Sequence, residues 1–173
     1  MKMYIGGKAC DASDGGTLNV TYPVTGEVID TVPVATHEDV ERVLAFSVEG
    51  HREWDAVPLH KRMAILSEFV EKVMQEKTRN RLTDTLYREM GRPRKECYGD
   101  FMILKNHIEG FISAARNNLT GTVLPFGGEA GKEHDFDVTI RQSIGPIVCI
   151  IPFNAPMTLF AKKVAPALLT GNS

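Results

Sequence analysis

The sequence has few cysteines and no excess of charge of either sign. Its three cysteines, Cys10, Cys97 and Cys149, are odd in number and widely spaced, unlike a disulfide framework or a CxxC metal site. The 20 Lys and Arg residues are balanced by 22 Asp and Glu residues. A chain without a basic field lacks the usual means of binding nucleic acid or an anionic membrane surface. We therefore expect free thiols and neither of those partners.

Membrane-spanning apolar runs and a signal-peptide pattern are also missing from the sequence. The sequence contains no uncharged apolar stretch of membrane-spanning length, and no basic segment followed by an apolar one opens it. Its histidines never lie four residues apart or beside a cysteine at ligand spacing, so no metal site is predicted. No G-x-G-x-x-G follows a predicted strand, and glycine therefore indicates turns. These absences predict a cytoplasmic protein.

The residues before position 122 predict a small β ribbon followed by four helices. MYIGGKAC and TLNVTYPVTGEVIDTVPVA are typical of short strands joined by glycine turns. Apolar residues then recur at helical spacing between cap signals. The first predicted helix runs from an N-cap at Thr36 toward Trp54, and the second begins at Pro58. The third ends at Gly91, and the fourth runs from Pro93 to about Asn118. The last of them carries the longest apolar stripe, formed by Cys97, Phe101, Leu104, Ile108, Phe111 and Ala115.

The pattern changes twice in the remaining residues. GTVLPF and DFDVTIRQSIG predict a hairpin at 122–144, with GGEAGKEH as its long exposed loop. The run PIVCII at 146–151 does not alternate, which is typical of a strand buried on both faces in a parallel sheet. A largely apolar helix is predicted from Met157 to Leu169, closed by Gly171 and Asn172. Residues 145–173 thus predict half of a βαβ unit.

The loop PFNAP, between this strand and helix, is the candidate site. Ligands of open parallel sheets bind beyond the carboxyl ends of the strands, and Pro152 and Pro156 restrict the backbone around Asn154. An amide placed there could donate a hydrogen bond to developing negative charge. Asparagine between prolines is more often a turn former, so residue type alone leaves both roles open.

The sequence resembles the NAD(P)-dependent aldehyde dehydrogenase superfamily over nearly its whole length. IGPIVCIIPFNAPMTLFAKKVAPALLTGN is similar to the opening of that family's cofactor-binding domain, and YIGGKA, YPVTGEVIDTVPVAT, WDAVPLHKR and REMGRP are similar to its amino-terminal region. The resemblance implies an α/β fold with three parts. These are a β ribbon and helical region at 1–121, a hairpin of oligomerisation type at 122–144, and the first strand and helix of a Rossmann-like sheet, left incomplete, at 145–173.

The resemblance also implies a reaction and a site. Asn154 would be the family's oxyanion-stabilising asparagine, and Ile151, Pro152, Phe153 and Asn154 would line the nicotinamide-ribose end of an NAD or NADP cleft. Phe153 stands where many members have Trp. The reaction would be attack of a Cys thiolate on an aldehyde, hydride transfer to NAD(P)+ and hydrolysis of the thioester with a Glu base. Both of those residues lie far downstream in the family, so we expect a partial, homo-oligomeric aldehyde dehydrogenase that is inactive by itself.

Some alternatives stay open at this point. The chain could be a non-catalytic assembly or regulatory module, or it could belong to the CoA-acylating branch of the same fold. Lys162 and Lys163 could face a cofactor phosphate, although lysines on an apolar helix more often extend to its rim. The basic segment GRPRK at a helix junction is interpreted as a solvated corner. Neither the aldehyde nor a preference between NAD and NADP can be read from these residues.

Overall fold

A computed structural model of the chain describes residues 1–124 and 137–173. The predicted hairpin loop GGEAGKEH lies outside the described residues. Strands and helices follow one another in the order β1 (Met3–Ile5), β2 (Lys8–Cys10), β3 (Thr17–Thr21), β4 (Val28–Pro33), α1 (His37–Asp55), α2 (Leu59–Met74), α3 (Glu76–Met90), α4 (Arg94–Asn118), β5 (Thr122–Leu124), β6 (Asp137–Thr139) and α5 (Pro156–Leu169). Each strand pairs antiparallel with its neighbour in sequence, giving three two-stranded ribbons.

Helix α1 begins at the N-cap that the sequence predicts. The Thr36 hydroxyl accepts a hydrogen bond from the Asp39 backbone N–H at 3.2 Å, and the Asp39 carboxylate accepts one from the Thr36 N–H at 3.1 Å. Asp39 is fully buried and also accepts from the backbone N–H of Ser13 at 3.0 Å. These backbone donors, Ser13 first and Thr36 second, lower the pKa of Asp39 because they stabilise its charged form. The capping box therefore also fastens the segment before β3 to the helix.

Helix α3 ends at Gly91, as predicted, because that residue adopts a left-handed conformation with φ of +66°. A Cβ atom added there would lie 2.9 Å from Cγ of Pro23, in the turn between β3 and β4. Glycine is thus required both by the backbone angle and by the close approach of the ribbon. The chain then turns through Pro93 into α4.

The core lies around α4, which packs against α2, α3 and α5. The predicted stripe is confirmed for most of its members, since Cys97, Phe101, Leu104 and Ile108 are all 0% exposed. Phe111 is only half-buried, and Ile112 takes the core position instead. The facing side of α5 presents small or apolar buried residues, Ala161, Ala165 and Leu169. Alanines at two of these positions let the two helices approach closely.

The buried strand predicted for PIVCII is absent from this structure. Within the described residues, no strand is assigned between Thr139 and Pro156, and Val148 and Ile150 are 83% and 75% exposed. The Ile147 N–H donates to the Ser173 carbonyl at 2.7 Å instead of to a neighbouring strand. A strand inside a parallel sheet needs a neighbouring strand to pair with and cover on both faces, and the described part of the chain supplies neither beside this run. The expectation of an incomplete sheet is confirmed, while the expected burial of PIVCII is wrong.

The hairpin predicted at 122–144 is paired over a short length in the described residues. Thr122–Leu124 pairs with Asp137–Thr139, and Val123 lies opposite Val138. Val138 and Ile140 are 47% and 78% exposed. These two apolar side chains are therefore not covered by other described residues.

Candidate functional site

The candidate site is the loop at residues 151–156, which leads into α5. Phe153 and Asn154 lie in a turn, and Ala155 is the N-cap residue of the helix, with φ of −153° and ψ of 64°. Phe153 is 84% exposed, and Asn154 and Pro152 are exposed as well, whereas Ile151 is half-buried. The four residues singled out by the sequence thus present a continuous surface with one amide on it. Within the described residues, the hydrogen bond that involves Asn154 is made by its backbone carbonyl and leaves the amide available.

An arginine from the turn before α4 holds the backbone of Asn154. The Arg92 guanidinium donates through Nη1 to the Asn154 carbonyl at 2.8 Å. It also donates through Nε and Nη2 to the Glu96 carboxylate, at 3.3 Å and 3.2 Å. Glu96 therefore fixes the plane of the guanidinium that reaches the loop. The interpretation of GRPRK as a solvated corner is wrong for Arg92, whose side chain is only 28% exposed.

A buried carboxylate from α4 caps the first turn of α5. Asp100 is 3% exposed, and its two oxygens accept from the backbone N–H groups of Met157 at 3.0 Å and Thr158 at 3.2 Å. The Thr158 hydroxyl donates to the same carboxylate. Ala155 has no side-chain acceptor, so the cap that a helix normally takes from its own N-cap residue comes here from another helix. The negative charge of Asp100 also lies at the positive end of the α5 dipole.

The start of the run that leads to the loop is fastened to the far end of α5. Asn172 is 4% exposed, and its side-chain oxygen accepts from the backbone N–H groups of Ile144 at 2.7 Å and Gly145 at 3.1 Å. The Trp54 indole donates to the Leu168 carbonyl at 2.9 Å and ties α1 to the same end of the helix. Residues 146–155 therefore form a segment whose two ends are both fixed on α5.

Lys163 adds a contact within that segment. Its ammonium group donates to the Ile150 carbonyl at 2.6 Å while the side chain stays exposed, and Lys162 is exposed too. The position of the Lys163 ammonium agrees with the expectation that it extends to the rim of the helix.

The described cysteines differ sharply in environment. Cys97 is 0% exposed in the core, and burial raises the pKa of its thiol, which keeps it protonated and unreactive. Cys10 and Cys149 are half-buried. Cys149 is therefore less buried than the core position expected for it, because the strand around it is not covered. Among residues 1–124 and 137–173, no group of three or more His, Cys, Asp or Glu side chains could hold a metal ion, and no helix could cross a membrane.

Sequence reasoning found the loop but missed its two supports, Arg92 and Asp100. A signal for Asp100 was present, because this charged residue lies three positions after Cys97 and four before Leu104, on the buried face of the stripe. A carboxylate on a core face needs hydrogen-bond donors from elsewhere in the fold. Arg92 carried no comparable local signal beyond its place in REMGRP.

Comparisons with known proteins agree on one family. The family model described as "Aldehyde dehydrogenase family" matches residues 10–173. The D-glyceraldehyde dehydrogenase (NADP(+)) of Picrophilus torridus is 32% identical over 173 residues, which is 100% of this chain and 34% of that protein.

Solved structures agree with the family match. A succinate-semialdehyde dehydrogenase from Burkholderia pseudomallei superposes with a TM-score of 0.89 and 28% identity, over 98% of this chain and 34% of that one. An NADP-dependent glyceraldehyde-3-phosphate dehydrogenase from Bacillus halodurans, complexed with NADP, shares the fold with a TM-score of 0.92 and 23% identity, over 99% and 36% of the two chains. The chain thus spans about a third of the length of these relatives.

Proposed function

The chain belongs to the aldehyde dehydrogenase family, and we propose that the protein of which it forms part oxidises an aldehyde to a carboxylic acid with NAD(P)+. In this reaction a cysteine thiolate adds to the aldehyde carbonyl and forms a tetrahedral oxyanion, which gives up a hydride to become a thioester. Water then releases the acid. The described residues contribute the loop that stabilises the oxyanion and one wall of the cofactor cleft.

The observation that carries this proposal is the state of Asn154. Its backbone is held by Arg92 and its helix is capped by Asp100, whereas its side chain is exposed. A neutral amide on a fixed backbone can donate to an oxyanion without reorganisation at the moment of reaction. These contacts hold the loop without using the Asn154 amide.

The loop fits the nicotinamide end of a dinucleotide better than its phosphates. The first free N–H groups of α5, those of Met157 and Thr158, are already bound by a carboxylate, so this helix terminus is closed to a phosphate. Ile151, Pro152 and Phe153 offer apolar surface next to the Asn154 amide. We infer that these four residues hold the nicotinamide-ribose end of NAD(P)+, which when bound supplies the hydride acceptor.

We further propose a homo-oligomer in the cytoplasm, with the hairpin at 122–144 joining subunits. In the 173-residue chain alone, the exposed apolar side chains of Val148 and Ile150, 83% and 75% exposed, supply a second surface suited to burial against another chain. Free cysteines at three positions fit a reducing compartment. Light scattering that gives a monomer at tens of micromolar would contradict the oligomer.

The test of the proposed activity is Asn154→Ala in the full-length protein, assayed by NAD(P)H absorbance over a panel of aldehydes. Loss of one oxyanion donor should lower kcat roughly 100- to 1,000-fold with little change in cofactor affinity. Asn118→Ala, at the end of α4, is the matched control and should keep normal turnover. Near-normal kcat in Asn154→Ala would remove this residue from the mechanism.

Two further assays separate the alternatives. The product should be the free acid, and a requirement for CoA with formation of a thioester product would identify the acylating branch. The chain matches about a third of its relatives' length, and the family resemblance implies that the nucleophile and base lie downstream of that third. The 173-residue chain alone should therefore form no NAD(P)H with any aldehyde. Absence of turnover in the full-length protein as well would favour the assembly or regulatory module.

A further inference from the structure

Two residues from the region of α4 hold the loop at Asn154 and just after it. Arg92 binds the carbonyl of Asn154 itself, and Asp100 binds the N–H groups of residues 157 and 158. Lys163 binds the carbonyl of residue 150 on the other side of the loop. The backbone of the loop is thus held before, at and after Asn154.

The helix that supplies the Asp100 contacts lies at the centre of the core. Cys97, Phe101 and Leu104, next to Asp100 along α4, are each 0% exposed, and such close-packed residues leave little room for displacement. Ala155 has no side-chain acceptor with which to cap α5, so Asp100 of this core helix provides the cap instead. A serine or aspartate at position 155 would stabilise α5 equally well but would not tie the loop to α4. The cap from Asp100 thus positions the loop as well as stabilising α5.

We propose that Arg92 and Asp100 are positioning residues for Asn154, which fix its amide in the direction of the reacting carbonyl. This inference rests on the proposed function of Asn154. An oxyanion donor contributes fully only when it is preorganised, and misplacement of a catalytic group by 1 Å is enough to cost a large part of the rate. Glu96 supports the arrangement indirectly, because its carboxylate holds the guanidinium that reaches the loop.

The first test uses ¹⁵N relaxation and amide hydrogen exchange on the whole 173-residue chain. Arg92→Met should lower the order parameter of the Asn154 and Ala155 amides from about 0.85 to below about 0.6, and Arg92→Lys should restore part of the loss. Asp100→Asn should speed exchange of the Thr158 amide roughly 10- to 100-fold, the loss expected for a buried hydrogen bond to a charged group. Arg116→Met, which changes an exposed arginine on the same helix, is the control and should do neither.

The second test measures turnover in the full-length protein. Arg92→Met should lower kcat roughly tenfold or more while the KM values for aldehyde and dinucleotide stay nearly unchanged, and Arg92→Lys should recover part of kcat. A loss of thermal stability without a change in kcat would identify a purely structural role and overturn the proposal.

The two tests separate this inference from the function on which it rests. If Asp100→Asn fails to fold, Arg92→Met still decides the matter, because it removes one hydrogen bond to the loop and two to Glu96 at a partly exposed site. A loop that is already mobile in the unaltered chain, or an effect of Arg92→Met no larger than that of Arg116→Met, would refute the positioning role. If Arg92→Met loses loop order but the full-length protein has no dehydrogenase activity, Arg92 still holds the loop, and the proposed catalytic role of Asn154 is rejected.

Discussion

Replacing Asn172 by alanine should destabilise the chain more than its place in a terminal turn suggests. Its side-chain oxygen accepts from the N–H groups of Ile144 and Gly145, and its amide donates to the Thr170 hydroxyl at 2.7 Å. Gly145 is buried, so its N–H would lose its partner without gaining water, at about 1–3 kcal/mol. Ile144 is 91% exposed and can bind water, so its loss is closer to about 0.5–1 kcal/mol.

The total for Asn172→Ala is therefore about 1.5–4 kcal/mol, since the Thr170 hydroxyl keeps its bonds to the Pro166 and Ala167 carbonyls. For a domain of this size, that loss lowers Tm by roughly 3–16 °C. Thermal and urea denaturation followed by circular dichroism measure it. Hydrogen exchange of residues 144–150 should accelerate in the same variant, because the start of the segment is released from α5.

The matched control is Asn117→Ala on α4. That residue is exposed, and its side chain makes one hydrogen bond, at 3.3 Å to the Ser113 carbonyl. A surface change of this kind should stay within about 0.5 kcal/mol. Equal Tm values for the two variants would show that Asn172 does not hold the segment, and the fixed-ends description of residues 146–155 would fail.

Three other perturbations test the scaffold. Phe101→Ala removes a side chain that is 0% exposed and should cost about 3–5 kcal/mol in urea denaturation. Gly91→Ala forces a left-handed alanine against Pro23 and should cost about 1–2 kcal/mol in the same assay, with α3 frayed at its end by hydrogen exchange. Asp39 has a folded pKa below its unfolded value, so its stabilisation is full above about pH 4 and is lost as pH falls through the folded pKa. Asp39→Asn should therefore be less stable at neutral pH and should show a flatter fall of the urea midpoint on acidification; an unchanged slope would contradict this.

The helical part of the fold was predictable because its signals are local and complete. Thr36 and Asp39 form a capping box three residues apart, and Gly91 supplies the left-handed angle that ends α3. The α4 stripe repeats with the helical period over the full length of the helix. Along this stripe, the predicted core position of Phe111 is taken by Ile112 instead. The two residues lie three and four positions after Ile108, and both spacings place a side chain near the same face of the helix.

The candidate site was predictable in place but not in its support. Prolines on both sides of Asn154 mark a stiff loop, and they do so from five consecutive residues. Arg92 and Asp100 reach the loop from 62 and 57 positions earlier in the chain, and no periodic pattern links partners so far apart. Such contacts follow from how α4 packs on α5, which becomes visible only once the helices are placed in space.

The failed prediction for PIVCII shows what an apolar run does and does not encode. A continuous β-branched run specifies a strand that gains from cover on both faces, but the conformation is stable only where partners provide that cover. Burying Val148 and Ile150 would contribute about 1.5–3 kcal/mol each, a sum close to the lower end of the stability of whole domains. Their exposure, at 83% and 75%, therefore leaves a substantial free energy available to whatever chain segment covers the run. The relatives that this chain matches are about three times as long, and the same run in such a length of chain has material with which to pair, so the run should gain protection from hydrogen exchange in the full-length protein.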